Sequence, residues 1–300
     1  MANNIFNRQN NSILLKSLVS QRRLYSFAKS WGYVSGVITV LLAIVASCWQ
    51  KESCDRLSLI VAVLSFVGWL FAIFGEKYGE ILRHKAARIQ QYIDREIFKE
   101  AFSAEELVLW HDLPLSGELS EENAKVTDAD IEKERVRNWY SDYSKMTPSH
   151  AVFLCQKENL RWDKKLRVRI LISILFCLSV CTFVWPIKVW NLKVSEALPV
   201  LIAGAGVASV LIKIIVGLVL DLVRMGHITT VANVAETNLQ SGVNVAPLLI
   251  QLQNLIYDNR CNVVLIPDFF YMLTRKRWQK YEDDIAEAHV EIERNGGALC

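Results

Sequence analysis

Lys213 stands as a single charge inside a long apolar run, with Ser209 four residues before it and Gly217 four after. At that spacing the three side chains share one helix face, and inside a membrane such a face would line a water-filled path. One chain supplies too few polar faces for a conduit, so a pore would need several copies. Two other roles stay open for Lys213: snorkelling to the nearer interface, or pairing with Asp221 two turns on. Catalytic constellations are absent. The chain contains no G-x-x-x-x-G-K-[ST], no H-E-x-x-H and no G-x-S-x-G. Ala203-Gly204-Ala205-Gly206 lies within an apolar run, where a phosphate cradle would lack both water and a preceding strand. Small residues there, Ala205 and Ser209 among them, suit close helix approach instead. His111-Asp112 and Asp128-x-Asp130 read as solvated surface. The seven cysteines form no C-x-x-C pair and no Cys/His cluster, which argues against a zinc ribbon or a redox motif. Cys177 and Cys181 read as small apolar filler, and a disulfide between Cys48 and Cys54 is one option for a short loop. No enzyme, metal or cofactor is expected.

The elements that must carry these residues are set by apolar content. Apolar residues make up 52% of the 300-residue chain, and mean hydropathy is +0.21. Uncharged runs extend over Ser30–Gln50, Leu57–Gly75, Ile170–Ile187 and Ala197–Ile212, the last resuming after Lys213 as far as Leu220. A bilayer core about 30 Å thick takes roughly 20 helical residues, so four spans fit and a purely soluble enzyme does not. Thirty-four basic against 31 acidic residues exclude a nucleic-acid wrapper and an acidic solvating chain. Arg8, Lys16, Arg22, Arg23 and Lys29 precede the first run with no acidic residue among them. Arg83, Lys85 and Arg88 follow the second run, and Arg161, Lys164, Lys165, Arg167 and Arg169 lead into the third. The connections at 50–56 and 188–196 carry two basic residues each. The positive-inside rule therefore puts both termini and the 76–169 segment in the cytoplasm. Trp31, Trp49, Trp185 and Trp190 stand at run ends, as an aromatic belt requires.

The polar segments read as helix. Leu82, Ala86, Ile89, Ile93 and Ile97 form one apolar stripe on a helix continuing out of the second run. Residues 112–134 read as a solvated loop or a charged helix. Thr147-Pro148 opens a helix that runs into the third span. Beyond the fourth span a helix continues to about Gln240, stops at Ser241-Gly242, restarts at Pro247 and breaks again at Ile266-Pro267-Asp268. The expected fold is all-α: a four-helix transmembrane region whose spans extend into a cytoplasmic helical bundle. Its divisions are 1–32 (N-terminal helix), 33–75 (spans one and two), 76–169 (sensor region), 170–223 (spans three and four) and 224–300 (C-terminal helices).

Five blocks resemble one family. They are Asn7-Arg8-Gln9-Asn10; Gln21-Arg22-Arg23-Leu24-Tyr25 with Ala28-Lys29; Arg88-Ile89-Gln90 with Asp94 and Phe98; Asn138-Trp139-Tyr140-Ser141 with Cys155-Gln156, Asn159-Leu160, Trp162-Asp163 and Leu166-Arg167; and Gln253, Ile256-Tyr257, Arg260, Ile266-Pro267-Asp268-Phe269-Phe270-Tyr271 and Arg275. In this order they are similar to the SMODS-associated four-transmembrane effector family of cyclic-oligonucleotide antiphage signalling. The resemblance implies a bacterial inner-membrane effector. A partner nucleotidyltransferase would make a cyclic di- or trinucleotide, which the cytoplasmic part binds while the membrane part, as a homo-oligomer, breaches the bilayer and aborts infection. No nucleic acid polymer is implied. Such a ligand needs aromatic stacking surfaces and arginine or lysine. Arg135, Arg137, Trp139, Tyr140, Gln156, Asn159, Arg161 and Trp162 combine those types before the third span. Alternatively, Trp139 and Trp162 anchor the bundle and the arginines meet lipid phosphates or acidic neighbours. Asn7–Asn10 would complete the site, form an exposed end or make an oligomer contact, and Tyr257, Arg260, Asp268, Tyr271 and Arg275 read as a buried network. A scaffold that recruits a soluble partner, and a transporter subunit, are the competing functions.

Overall fold

The computed structural model describes residues 3–49, 55–189 and 194–294; within the apolar ends of the long helices many side chains lie outside that description, as does the Cys48–Cys54 pair. Four helices dominate: α2 (Ser12–Trp49), α3 (Asp55–Phe98), α7 (Pro148–Val189) and α8 (Val194–Gln240). Their 38, 44, 42 and 47 residues make rods of about 57–70 Å at 1.5 Å per residue, roughly twice a bilayer core. The remaining helices are α1 (Ile5–Arg8), α4 (Ala104–Val108), α5 (Ser116–Ala124), α6 (Asp128–Glu134), α9 (Ala246–Asn262) and α10 (Asp268–Arg294). No strand occurs among the described residues.

Local chemistry explains the boundaries. Ser103 with Glu106, and Thr127 with Asp130, form reciprocal capping boxes that start α4 and α6. The 112–134 segment, expected as a solvated loop or a charged helix, thus resolves into two short charged helices and their connections. Arg135 ends α6 in the left-handed region at φ 52°. Gly242, at φ 68°, turns the chain after α8. Pro247 falls in the first turn of α9, where its missing N–H costs nothing. Pro267 immediately precedes α10.

The polar halves of the long helices share one core. The α3 stripe Ala86, Ile89, Ile93 and Ile97 is buried against Leu14, Leu15 and Leu18 of α2 and Leu249, Leu252 and Ile256 of α9. Ala151 to Gln156 of α7 is buried without interruption, which makes this helix the centre of the bundle. At the other end the long helices present apolar side chains outward, among them Val37, Phe66, Phe74, Phe176 and Val216. Among the described residues, no helix carries a stretch long and apolar enough to cross a membrane. Gly79 lets α2 and α3 touch: a Cβ there would lie 3.2 Å from the Ala28 carbonyl oxygen. Trp31 stacks edge-on against Tyr78 at 5.6 Å just above this contact.

Candidate functional site

Three of the eight candidate binding residues meet in a buried polar network. Asp94 accepts hydrogen bonds from the Tyr140 hydroxyl at 2.7 Å, Gln253 Nε2 at 2.9 Å and Arg260 Nη1 at 2.6 Å. Asn159 donates to the Tyr140 hydroxyl at 2.8 Å, and Gln156 donates to Gln253 at 3.1 Å and to the Leu249 carbonyl at 3.0 Å. Burial, reinforced by the Asp94 carboxylate, holds the Tyr140 phenol well above its ordinary pKa. Tyr140 and Gln156 are both fully buried, so neither faces a ligand in this structure. Arg260 belongs to this network, as its sequence environment suggested. Tyr257 instead bonds Asp112 at 3.1 Å.

A cavity of about 190 Å³ opens on the other side of the 138–140 loop. Gln21, Arg22, Tyr25 and Lys29 of α2 form one wall, Asp163, Leu166 and Arg167 of α7 a second. Trp139, the 263–266 segment, Asp268 and Tyr271 close it. Eleven of its fourteen lining residues belong to the sequence blocks quoted above. Three aromatic rings, Tyr25, Trp139 and Tyr271, face one volume. Tyr271 is backed by Trp162 at 5.8 Å, which meets Trp278 edge-on at 5.2 Å. The stack fixes the ring in place.

Three cations line the cavity, each with a carboxylate. Lys29 pairs with Asp268 at 2.5 Å, and Ser26 donates to the same carboxylate at 3.1 Å. Arg22 bonds the carbonyl and carboxylate of Glu134. Arg167 is buried between Asp163 and Asp221. Partly exposed pairs contribute only about 0–1 kcal/mol, so an entering anion displaces Asp268 or Glu134 cheaply. Removing a partner from a buried pair costs about 3–5 kcal/mol. Arg167 therefore keeps its carboxylates while Arg22 and Lys29 are free to exchange theirs.

Of the other candidates, only Trp139 lines this cavity directly, and Trp162 supports its wall. Arg161 pairs with the buried Glu282 of α10. Arg137 pairs with Glu132 at 2.9 Å in a separate groove that also contains Asn10. Arg135 is exposed, its carbonyl accepting from Arg275. The N-terminal arm is tied to the bundle: Arg8 pairs with Glu100, Gln9 brackets the Tyr140 backbone and Asn10 donates to Asn138 at 2.9 Å. Arg22, Tyr25, Lys29, Arg167 and Tyr271 escaped the sequence-based site. The signal for them was their membership of the blocks. Lys213 pairs with Glu76 of α3 at 2.6 Å rather than with Asp221, which holds Arg167 and Arg224 instead. Ser209 is exposed, and Gly217 packs on Val264.

Below the cavity, Glu158 of α7 is buried beside Glu282 and Asp283 of α10, Arg161, Ser141 and Tyr143. Burial, then the Glu282 charge, pushes its pKa up to about 8. An unfolded glutamate titrates at about 4.3, so between these values the folded chain holds a proton that the unfolded chain lacks. This contribution is complete below the unfolded value and is lost as pH rises towards 8. Melting temperature is expected to fall from pH 5 to pH 8, and Glu158→Gln to flatten that slope. Parallel pH profiles for the two proteins would contradict this assignment.

No curated protein and no solved structure matches the chain. One family does, described as the SMODS-associating 4TM effector domain, and the match covers residues 3–292. With nearly the whole described chain inside that match, the chain belongs to the SMODS-associating 4TM effector domain family.

Proposed function

We propose that this chain is a membrane-embedded antiphage effector whose polar helical half binds a cyclic di- or trinucleotide, and whose apolar half breaches the inner membrane as an oligomer. The observation that carries the reading is the cavity: three aromatic rings and two exchangeable cations, drawn from blocks scattered over the chain, face one volume. Rings stack on bases and cations meet phosphates. At about 190 Å³ the space is smaller than the roughly 300–1,000 Å³ of drug-sized sites, which suits one base rather than a whole ligand. Arg22 also borders a neighbouring groove of about 490 Å³ with Arg23 and Lys125, where the remainder of the ligand has room.

The apolar exterior of the four long helices supports the membrane placement, since a contiguous exposed apolar surface of this kind needs lipid or protein cover. Four spans, with both termini on the side of the cavity, complete the proposed topology. The route from ligand to lipid runs through Arg167. It lines the cavity on α7 and holds Asp221 of α8, which also accepts from the Val264 backbone at 2.9 Å. Helices α7 and α8 continue unbroken into the apolar half. A ligand that prefers one arrangement of these groups shifts the population of the helices.

Melting curves of the purified protein against a panel of cyclic di- and trinucleotides test binding. One member is expected to raise the melting temperature, and the same member to release dye from vesicles containing the protein. If none binds, the proposal fails; binding without release removes the membrane-breaching part.

Gly217 tests the route structurally. A Cβ at this position would collide with the Val264 side chain beneath the cavity. Overpacking costs about 1–3 kcal/mol, against the roughly 1 kcal/mol by which alanine outperforms glycine in a helix. Gly217→Ala is expected to lower the melting temperature and weaken nucleotide binding, with Val264→Ala restoring both. Failure of the second substitution to rescue would show that the contact does not transmit.

A further inference from the structure

One face of α10 is sorted along its length. Phe269, Met272 and Leu273 are 59%, 67% and 66% exposed. Lys276, Arg277 and Lys280 follow, and then Asp284, Glu287 and Glu291, all exposed. At 100° per residue these side chains fall on a single face. The opposite face supplies Tyr271, Trp278 and Glu282 to the contacts with Trp162 and Arg161. Among the described residues, Lys276, Arg277 and Lys280 have no carboxylate partner, in contrast to Arg22, Lys29 and Arg167 of the cavity.

The start of α10 lies level with the inner ends of the apolar runs. Ile266 and Phe270 pack with Ile170, Leu218 and Ile214, and Asp268 bonds Ser26 and Lys29, one turn below Trp31. From there the helix descends along α7 away from the apolar end: Trp278 lies under Arg169 at 4.5 Å, and Glu282 meets Arg161 further down. At 1.5 Å per residue the basic turn begins about 10 Å beyond Phe269 and the acidic turns about 20 Å beyond it. An anionic lipid surface attracts basic residues within a Debye length of about 8 Å and repels acidic ones. Apolar, then basic, then acidic is the order such a surface selects.

We propose that this face of α10 docks on anionic lipid headgroups, its first turn wedged at the bilayer boundary and Lys276, Arg277 and Lys280 on the phosphates. The inference rests on the membrane placement above. It gives α10 a second role, because the helix that carries the cavity wall Tyr271 is then also held by lipid on its outer side.

A dansyl-bearing amino acid in place of Met272, in the full chain reconstituted into vesicles, reads the docking. A second labelled protein, with the probe at Phe74, reports the membrane placement separately. With 30 mol% phosphatidylglycerol, nitroxide lipids labelled near the headgroup are expected to quench the probe at 272, and aqueous iodide to leave it bright. Lys276→Gln with Arg277→Gln is expected to reduce the docked-to-free ratio by on the order of 25-fold, about fivefold per cation. Quenching at 74 by lipid but at 272 by iodide would overturn the docking and leave the membrane placement standing. Lipid quenching at neither site would overturn both. A probe at 272 shielded from lipid and iodide alike would mean that protein covers the face, which also overturns the proposal. Equal quenching in pure phosphatidylcholine would remove the role of the three cations.

Discussion

Replacing Arg260 with alanine is expected to destabilise the protein by about 3–5 kcal/mol, the cost of leaving a buried carboxylate without its cation. Asp94 is almost fully buried and takes three hydrogen bonds, of which only the one from Arg260 brings a positive charge. Without it, Tyr140 and Gln253 donate to an anion that pairs with no other cation among the described residues. The substitution also disturbs a junction, because Asp94, Tyr140, Gln253 and Asn159 come from α3, the 138–140 loop, α9 and α7. For 300 residues, at about 2.1 cal/mol/K of unfolding entropy per residue, the melting temperature should fall by roughly 5–8 °C. Arg260→Lys, which keeps the charge but loses the planar fork, should lose less. A loss under about 1 kcal/mol would mean that Asp94 becomes protonated or hydrated at little cost, and that the network is not what joins the helices.

Trp139→Ala is expected to weaken nucleotide binding by about 5- to 150-fold, the equivalent of the 1–3 kcal/mol that one stacked base contributes. The ring is half-buried at the cavity edge, so the melting temperature without ligand also falls somewhat. Calorimetric titration separates the two effects, and Trp139→Phe, which keeps an aromatic face, should recover most of the affinity. Arg137 supplies the contrast. It is exposed, paired with Glu132, and lies in a different groove, so Arg137→Ala should change affinity less than twofold. A ligand that binds normally to the Trp139→Ala protein, or that is lost with Arg137, would relocate the site.

That contrast bears on how far a sequence can be read. Arg137, Trp139 and Tyr140 are neighbours in the chain and are equivalent as ligand contacts by residue type alone. The fold sends them to three environments: Arg137 to the surface, Trp139 to the cavity, Tyr140 to the buried network. Alternation over so few residues is decided by the turn at Asn138, held at φ 53°, and no composition rule reports that. Conversely, Arg22, Tyr25 and Lys29 are visible as a basic, aromatic stretch before the first apolar run. Their role emerges only when α7 and the 263–271 segment close against them.

The amino-acid order alone determined the long helices: their apolar stripes, the Gly242 turn, and the restarts at Pro247 and Pro267. Those features depend on backbone geometry and on side chains within a few residues of one another, and such interactions act at short range along the chain. Tertiary structure decided which polar groups meet. Asp94 and Arg260 are 166 positions apart, and Glu76 and Lys213 are 137 apart. Pairings at that distance follow from how the helix faces pack. A single charged residue carries no record of its partner, so Lys213 was equally readable beside Asp221 until α3 brought Glu76 to it.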